Sequence, residues 1–134
     1  MIDYLTAVLP ATHPLANADN LPFEQLRGET FLLFPEHSFI NDLCIRECRN
    51  AGFEPHIAYT GNRGATLIDL VRNGAGITLM MHHSARQEND SSLAFIPVTP
   101  GIYSYISLNY AKEKPLSPQA ESFVRYVKAH KRDF

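Results

Sequence analysis

Apolar positions along the chain follow two alternating rhythms. Residues 4–9 (YLTAVL) are rich in apolar and β-branched side chains and predict a first strand. Residues 30–34 (TFLLF) are wholly apolar, as suits a strand buried on both faces, and Pro35 ends the run. From Ser38 the period becomes helical: Phe39, Leu43 and Cys44 are expected on one face of a helix reaching about Ala51. Ser38 is a suitable N-cap for it and Gly52 a left-handed stop. Residues 56–60 (HIAYT) predict a third strand, residues 61–64 a turn, and residues 65–73 a second helix stopped by Gly74. A fourth strand is expected over 77–81, a short helix over 83–87, a fifth strand over 93–97 and an alternating sixth over 103–110. Ser117 caps a last helix with Pro118 in its first turn and Ala120, Phe123, Val124 and Val127 as its buried face. Earlier in the chain, His13-Pro14-Leu15 reads as a loop, and residues 22–26 as a helical turn with Pro at its start.

Strand, helix, strand, helix, strand implies a mostly parallel α/β sheet. Ligands in such sheets bind outside the C-terminal ends of the strands. Two segments here leave strand ends and open helices, residues 34–38 and 60–64. On neighbouring parallel strands they share one edge. Helix N-terminal N–H groups favour an anion, Gly61 and Gly64 permit close backbone approach, and Arg63 offers a charged donor. Glu36 opposes an anion unless it points outward.

Composition narrows the class. The 134 residues are 45% hydrophobic and 19% charged, with a formal charge of −2, no Trp and two Cys. That length suits one domain with or without an appendage, and it folds without disulfides or metal. Disorder is excluded by the apolar content, and no apolar run approaches the roughly 20 residues of a membrane span. The opening Met1-Ile2-Asp3-Tyr4-Leu5 has no basic and then apolar leader pattern, so a cytoplasmic location is expected. Charge is uneven: residues 1–100 carry a net −5 and residues 101–134 a net +3. The basic excess includes Lys128, Lys131 and Arg132 near a helix end, where it complements the helix dipole. With a pI of about 6.3, direct DNA binding by this stretch is not expected.

Other groupings reduce to structure. Gly74 and Gly76 lie between a helix and a strand, the reverse of a dinucleotide fingerprint. Cys44 and Cys48, four apart on one helix, point nearly parallel and read as a reduced buried pair. His82 and His83 are adjacent and point apart, and no metal-ligand spacing is present, so neither metal nor cofactor is expected. Ser38 and Ser84 lack a nucleophile-elbow context. His37 reads as solvent-facing, and Met80-Met81 as core that could adapt to a ligand.

Several segments in order then resemble a known family: Val8-Leu9-Pro10 with His13-Pro14-Leu15-Ala16; LRGETFLLF over 26–34 with Pro35 to Ser38; Ala51-Gly52-Phe53-Glu54-Pro55; Leu70-Val71-Arg72-Asn73-Gly74-Ala75-Gly76-Ile77; and Leu116-Ser117-Pro118-Gln119-Ala120 with Phe123. The chain resembles the effector-binding domain of LysR-type transcriptional regulators over nearly its whole length. The resemblance implies a periplasmic-binding-protein-like type II fold: a mostly parallel three-layer αβα subdomain with an appended strand and C-terminal helix. It assigns residues 1–100 to the second effector-binding subdomain and residues 101–134 to a segment returning to a first subdomain that is mostly missing. It places ligand contacts at Pro35, His37, Ser38 and Phe39, and at Gly61, Asn62 and Arg63. Met81 stands where the family commonly has Pro. No winged helix-turn-helix is present, so the resemblance implies a shortened form that reaches DNA only through a missing N-terminal domain. The apolar face of the returning segment (Ile106, Leu108, Phe123, Val127) must then find cover, for which homodimerisation or a swap is expected.

The expected function is therefore sensing of a small-molecule effector, anionic by the helix-terminus argument, with no catalysis. An open-sheet α/β enzyme, using Glu36, His37 or Ser38, and a transport-type solute-binding protein stay open on the residues alone.

Overall fold

The computed structural model describes residues 1–130; Lys131 and Arg132, part of the expected basic helix end, lie outside the described residues. Among the described residues seven strands form: β1 (Ile2–Pro10), β2 (Leu21–Pro22), β3 (Thr30–Leu33), β4 (His56–Thr60), β5 (Thr78–Met81), β6 (Leu93–Thr99) and β7 (Tyr103–Tyr105). The helices are α1 (Phe39–Asn50), α2 (Gly64–Arg72), α3 (His82–Ala85) and α4 (Pro118–Ala129), with 3-10 turns at Phe23–Leu26 and Arg86–Glu88. The chain divides into two compact units, one of Asp3–Tyr103 and one of Met1–Ile2 with the segment from Ser104 onward.

In the larger unit β1 runs antiparallel to both β5 and β6, and β2 is parallel to β6. β3 and β4 pair in parallel, with an irregularity between Phe31 and Leu32. A parallel bridge between Phe31 and Ile77 joins β3 to the start of β5, with N–H to carbonyl distances of 2.8 Å from Leu32 to Ile77 and from Ile77 to Thr30. The strands joined by α1 thus pair in parallel, and β5 joins the same parallel group through β3. The antiparallel character comes from β1, whose direction no local pattern reveals.

Side-chain alternation divides the core into two layers around the sheet. Leu5, Ala7 and Leu9 of β1, Phe31 and Leu33 of β3 and Leu79 of β5 pack on one face with Leu43, Cys44 and Cys48 of α1. Val8, Leu32 and Met80 pack on the other face with Leu67, Ile68 and Val71 of α2. The apolar run Phe31–Leu33 of β3 is accordingly buried on both faces, as its composition predicts. Both helices end as their glycines predict. Gly52 (φ +88°) and Gly74 (φ +80°) take the left-handed position. The next residues, Phe53 and Ala75, donate back to the carbonyls of Cys48 and Leu70, which satisfies two terminal acceptors. Cys44 and Cys48 are buried free thiols. The hydrogen bond with Cys48, together with burial, holds the Cys44 thiol far above its ordinary range, which favours the protonated form.

Three expectations need correction. Phe39 does not join the buried face of α1 but is 65% exposed. At about 100° per residue it lies roughly 130° around the helix from the middle of the Leu43–Cys44–Cys48 arc. The sixth strand stops at Tyr105, and residues 106–110 are irregular. Ile106 exchanges hydrogen bonds with Met1, and beyond that pair no backbone–backbone hydrogen bond holds 107–110 to another described segment. In α4 no residue is buried: Ala120, Val124 and Val127 are half-buried and Phe123 is exposed, so its apolar stripe has no layer over it among the described residues of its unit. Its start is as expected, with Ser117 Oγ accepting from the Ala120 N–H. No helix among the described residues is long and apolar enough to cross a membrane.

Candidate functional site

β3, β4 and β5 are mutually parallel, so their C-terminal ends, and the loops that leave them, lie on one edge of the sheet. The first loop follows Leu33. Pro35 and Ser38 close a turn, the Ser38 N–H donating to the Pro35 carbonyl at 3.1 Å. Ser38 then caps α1, its Oγ accepting from the Asn41 N–H at 3.3 Å. His37 is exposed and held at φ +66°, a left-handed conformation uncommon for a side chain other than glycine. Glu36 is exposed. The turn is anchored from behind by Asn41, 1% exposed, whose Nδ2 donates to the Phe34 carbonyl at 2.9 Å.

The second loop follows Thr60. The Gly61 N–H donates to the Leu33 carbonyl at 3.0 Å, tying the two loops at their roots. Arg63 occupies the N-cap position of α2 without a side-chain cap, so its exposed guanidinium is not spent on the helix. Its carbonyl accepts from the Thr66 and Leu67 N–H groups. The N–H groups of Gly64 and Ala65 open the helix without an intrahelical acceptor, as at any helix start.

Pro35, His37 and Ser38 therefore sit on one loop, with Phe39 at the first position of α1 behind it, and Gly61, Asn62 and Arg63 on the neighbouring loop. A cavity of about 430 Å³ lies on the flank between α1 and β4, lined by Glu36, His37, Asn41, Asp42, Ile45 and residues 57–60. Of the expected contact residues only His37 borders it. No cluster of His, Cys, Asp and Glu that could hold a metal occurs among the described residues.

Sequence reasoning missed two features of this edge. Asn41 reads as an ordinary polar helix residue, yet it is the buried strut of the first loop; only its place three residues after an N-cap hinted at that. The second feature comes from strand register. β1 enters antiparallel to β5 with Leu5 opposite Met81, which brings Tyr4 beside His82 at the same edge. Their rings stack with centroids 4.3 Å apart. Asp3, buried, accepts from the Tyr4 N–H at 2.9 Å and the His83 N–H at 3.1 Å. Burial, together with nearby Arg86 and His83 and opposed by Asp3, holds the His82 imidazole below its ordinary pKa.

Against known families, residues 2–132 match the LysR substrate binding domain. Among curated proteins the chain is 29% identical over 122 residues to the transcriptional dual regulator GltC of Bacillus subtilis (strain 168), across 90% of this chain and 41% of that protein. Among solved structures it is similar to the regulatory domain of Synechocystis PCC6803 CcmR in complex with 2-PG. The TM-score there is 0.76 at 18% identity, over 96% of this chain and 63% of that one. It is also similar to the effector binding domain of QuiR in complex with shikimate, with a TM-score of 0.67 at 19% identity, over 96% of this chain and 66% of that one. The chain spans about two fifths of the length of the curated relatives that match it over most of its own.

Proposed function

Because the chain belongs to the LysR substrate-binding domain family, we propose that it is an effector-sensing part of a transcription regulator, binding a small anionic molecule at the loop-bearing edge of its larger unit. Its fold is periplasmic-binding-protein-like type II. Family membership places it among regulator domains rather than enzymes, and with that the catalytic and transport readings fall away.

The carrying observation is the pair of loops rooted together by the Gly61–Leu33 hydrogen bond at the ends of two parallel strands. In this reading Pro35, His37, Ser38 and Phe39 shape one wall, and Gly61 and Asn62 give backbone access on the other. Arg63 supplies a charged donor beside the start of α2, where the helix dipole also favours negative charge. Residues 1–100 form the second subdomain of the effector cleft and residues 101–134 the segment returning to the first. Effector binding shifts the closure of the two subdomains and thereby the packing of the regulator on DNA, which a separate domain contacts. The protein acts in the cytoplasm.

Association with a second copy fits the lack of buried residues in α4 and the exposure of Tyr105, Ile106, Leu108, Tyr110 and Phe123 in the smaller unit, since an amphipathic helix is stabilised chiefly by covering its apolar face. Sedimentation of the chain at tens of micromolar is expected to give a homodimer, and a monodisperse monomer would count against it.

Calorimetric titration with shikimate, benzoate and 2-PG tests the site. At least one is expected to bind, and Arg63→Ala is expected to weaken it by about tenfold, the loss typical of one charge-assisted hydrogen bond. Unchanged affinity in that variant would remove Arg63 from the site, and no binding by any of the three would overturn the anionic reading.

A further inference from the structure

The sheet edge that carries the two loops also carries a third polar group, which the effector reading above neither uses nor requires. Tyr4 and Thr6 are two apart on β1 and so share a face. Thr6 is fully buried, and its Oγ1 lies 3.4 Å from Nδ1 of His82. His82 stacks on Tyr4 with 18° between the ring planes. Asp3 fixes the backbone on both sides, accepting from the N–H groups of Tyr4 and His83. Both rings are thus held in place from several directions while remaining half-buried.

Two polar atoms of the pair are left over. Neither the Tyr4 hydroxyl nor the His82 Nε2 has a hydrogen-bond partner among the described residues. The charged and titratable groups around His82 are Asp3 on β1, His83 on α3 and Arg86 in the 3-10 turn that follows; with burial, their balance favours the uncharged ring. An uncharged imidazole that accepts the Thr6 hydroxyl at Nδ1 carries its proton on Nε2. With the imidazole in that tautomer the edge presents two neutral donors side by side, Tyr4 on β1 and His82 at the first position of α3.

We propose that Tyr4 and His82 form a third contact for the effector, the Tyr4 hydroxyl and the His82 Nε2–H donating to its oxygen atoms alongside the 61–63 loop. The proposal rests on the effector reading, and it adds a specificity element: two fixed donors select ligands that carry acceptor oxygens beyond the group held by Arg63. An effector lacking those oxygens would leave both donors unpaired on binding, which is costly.

Nuclear magnetic resonance spectra of the isotope-labelled 134-residue chain, titrated with shikimate, benzoate and 2-PG, test it. A ligand that moves the backbone signals of residues 61–63 is expected to move the ring signals of Tyr4 and His82 as well. His82→Phe, which keeps a stacking ring but no donor, is expected to bind that ligand about tenfold more weakly, and His82→Gln, which keeps an N–H, to recover most of the loss. A ligand that shifts 61–63 and leaves both rings unmoved overturns this inference alone and leaves the effector reading standing; that mapping uses the unmodified chain and needs no variant to fold. Shifts at neither place with any of the three overturn the effector reading, and this inference with it.

Discussion

Gly76 lies so close to Thr30 that a Cβ at position 76 would stand 2.4 Å from the Thr30 carbonyl oxygen. That oxygen accepts the Ile77 N–H at 2.8 Å, one of the two hydrogen bonds joining β5 to β3. The atom in the way is backbone, held in the sheet, and cannot swing aside. Gly76→Ala is therefore expected to destabilise the larger unit by about 1–3 kcal/mol, the usual cost of overpacking a tight contact. Urea unfolding would show the loss, and hydrogen exchange would show it concentrated at Leu32 and Ile77. A variant as stable as the parent would mean that the β3–β5 seam yields more easily than this contact allows.

Asn41 holds the first loop from within the core. Asn41→Ala removes the donor to the Phe34 carbonyl and leaves that acceptor unsatisfied, with an expected cost of about 1–3 kcal/mol in unfolding free energy. The same change frees the turn at residues 35–38, so effector affinity is expected to fall more than overall stability alone explains. Calorimetry and denaturant titration on the one variant separate the two effects. A full stability loss with no change in affinity would show that the first loop makes no contact with the effector.

What could be read in advance was local. Ser38 and Ser117 announce helix starts because a side-chain oxygen satisfies an N–H three residues on, and Gly52 and Gly74 announce helix ends because the next step requires φ above zero. The two loop segments followed from strand–helix alternation. Three features were hidden because they depend on partners distant in sequence. The antiparallel entry of β1 sets the Tyr4–His82 pairing across 78 positions of chain, by register rather than by spacing. Phe39 has the right residue type for a core position, but a helix arc is fixed by what packs on it, and α1 turns Leu43 and Cys44 inward instead. Strand 103–110 has the right alternation, yet a strand persists only where a neighbour pairs with it, and here pairing reaches Ile106 opposite Met1.

Thr78 offers a change in the stabilising direction. It is fully buried in β5 opposite Val8, and its Oγ1 has no hydrogen-bond partner among the described residues. A buried hydroxyl without a partner loses its hydration and gains nothing in return. Thr78→Val keeps the β-branched shape and removes the stranded oxygen, so a gain of about 1 kcal/mol is expected, visible as a higher urea midpoint with an unchanged slope. A loss would mean that the hydroxyl is satisfied in solution, for instance by a buried water.

Asp90 ties the segment between α3 and β6 to Arg72 at the end of α2. Hydrogen bonds from the Ser92 hydroxyl and N–H, and the Arg72 guanidinium at 2.6 Å, bring its pKa from 3.8 down to about 2. A carboxylate whose folded pKa is depressed stabilises the folded state fully above its unfolded pKa and loses that contribution as pH falls through the folded value. The stability difference between the parent and Asp90→Asn is therefore expected to be constant from neutral pH down to about 4, to shrink between about 4 and 2, and to vanish below. Arg72 also bonds Asp69, so the guanidinium keeps a partner in the variant and the difference reports chiefly the Ser92 and Arg72 bonds to Asp90. Denaturant titrations of both proteins across pH 2–7 give the curve directly. A difference that grows on acidification, or one that stays flat to pH 2, would show that the carboxylate is not held in its charged form by these partners.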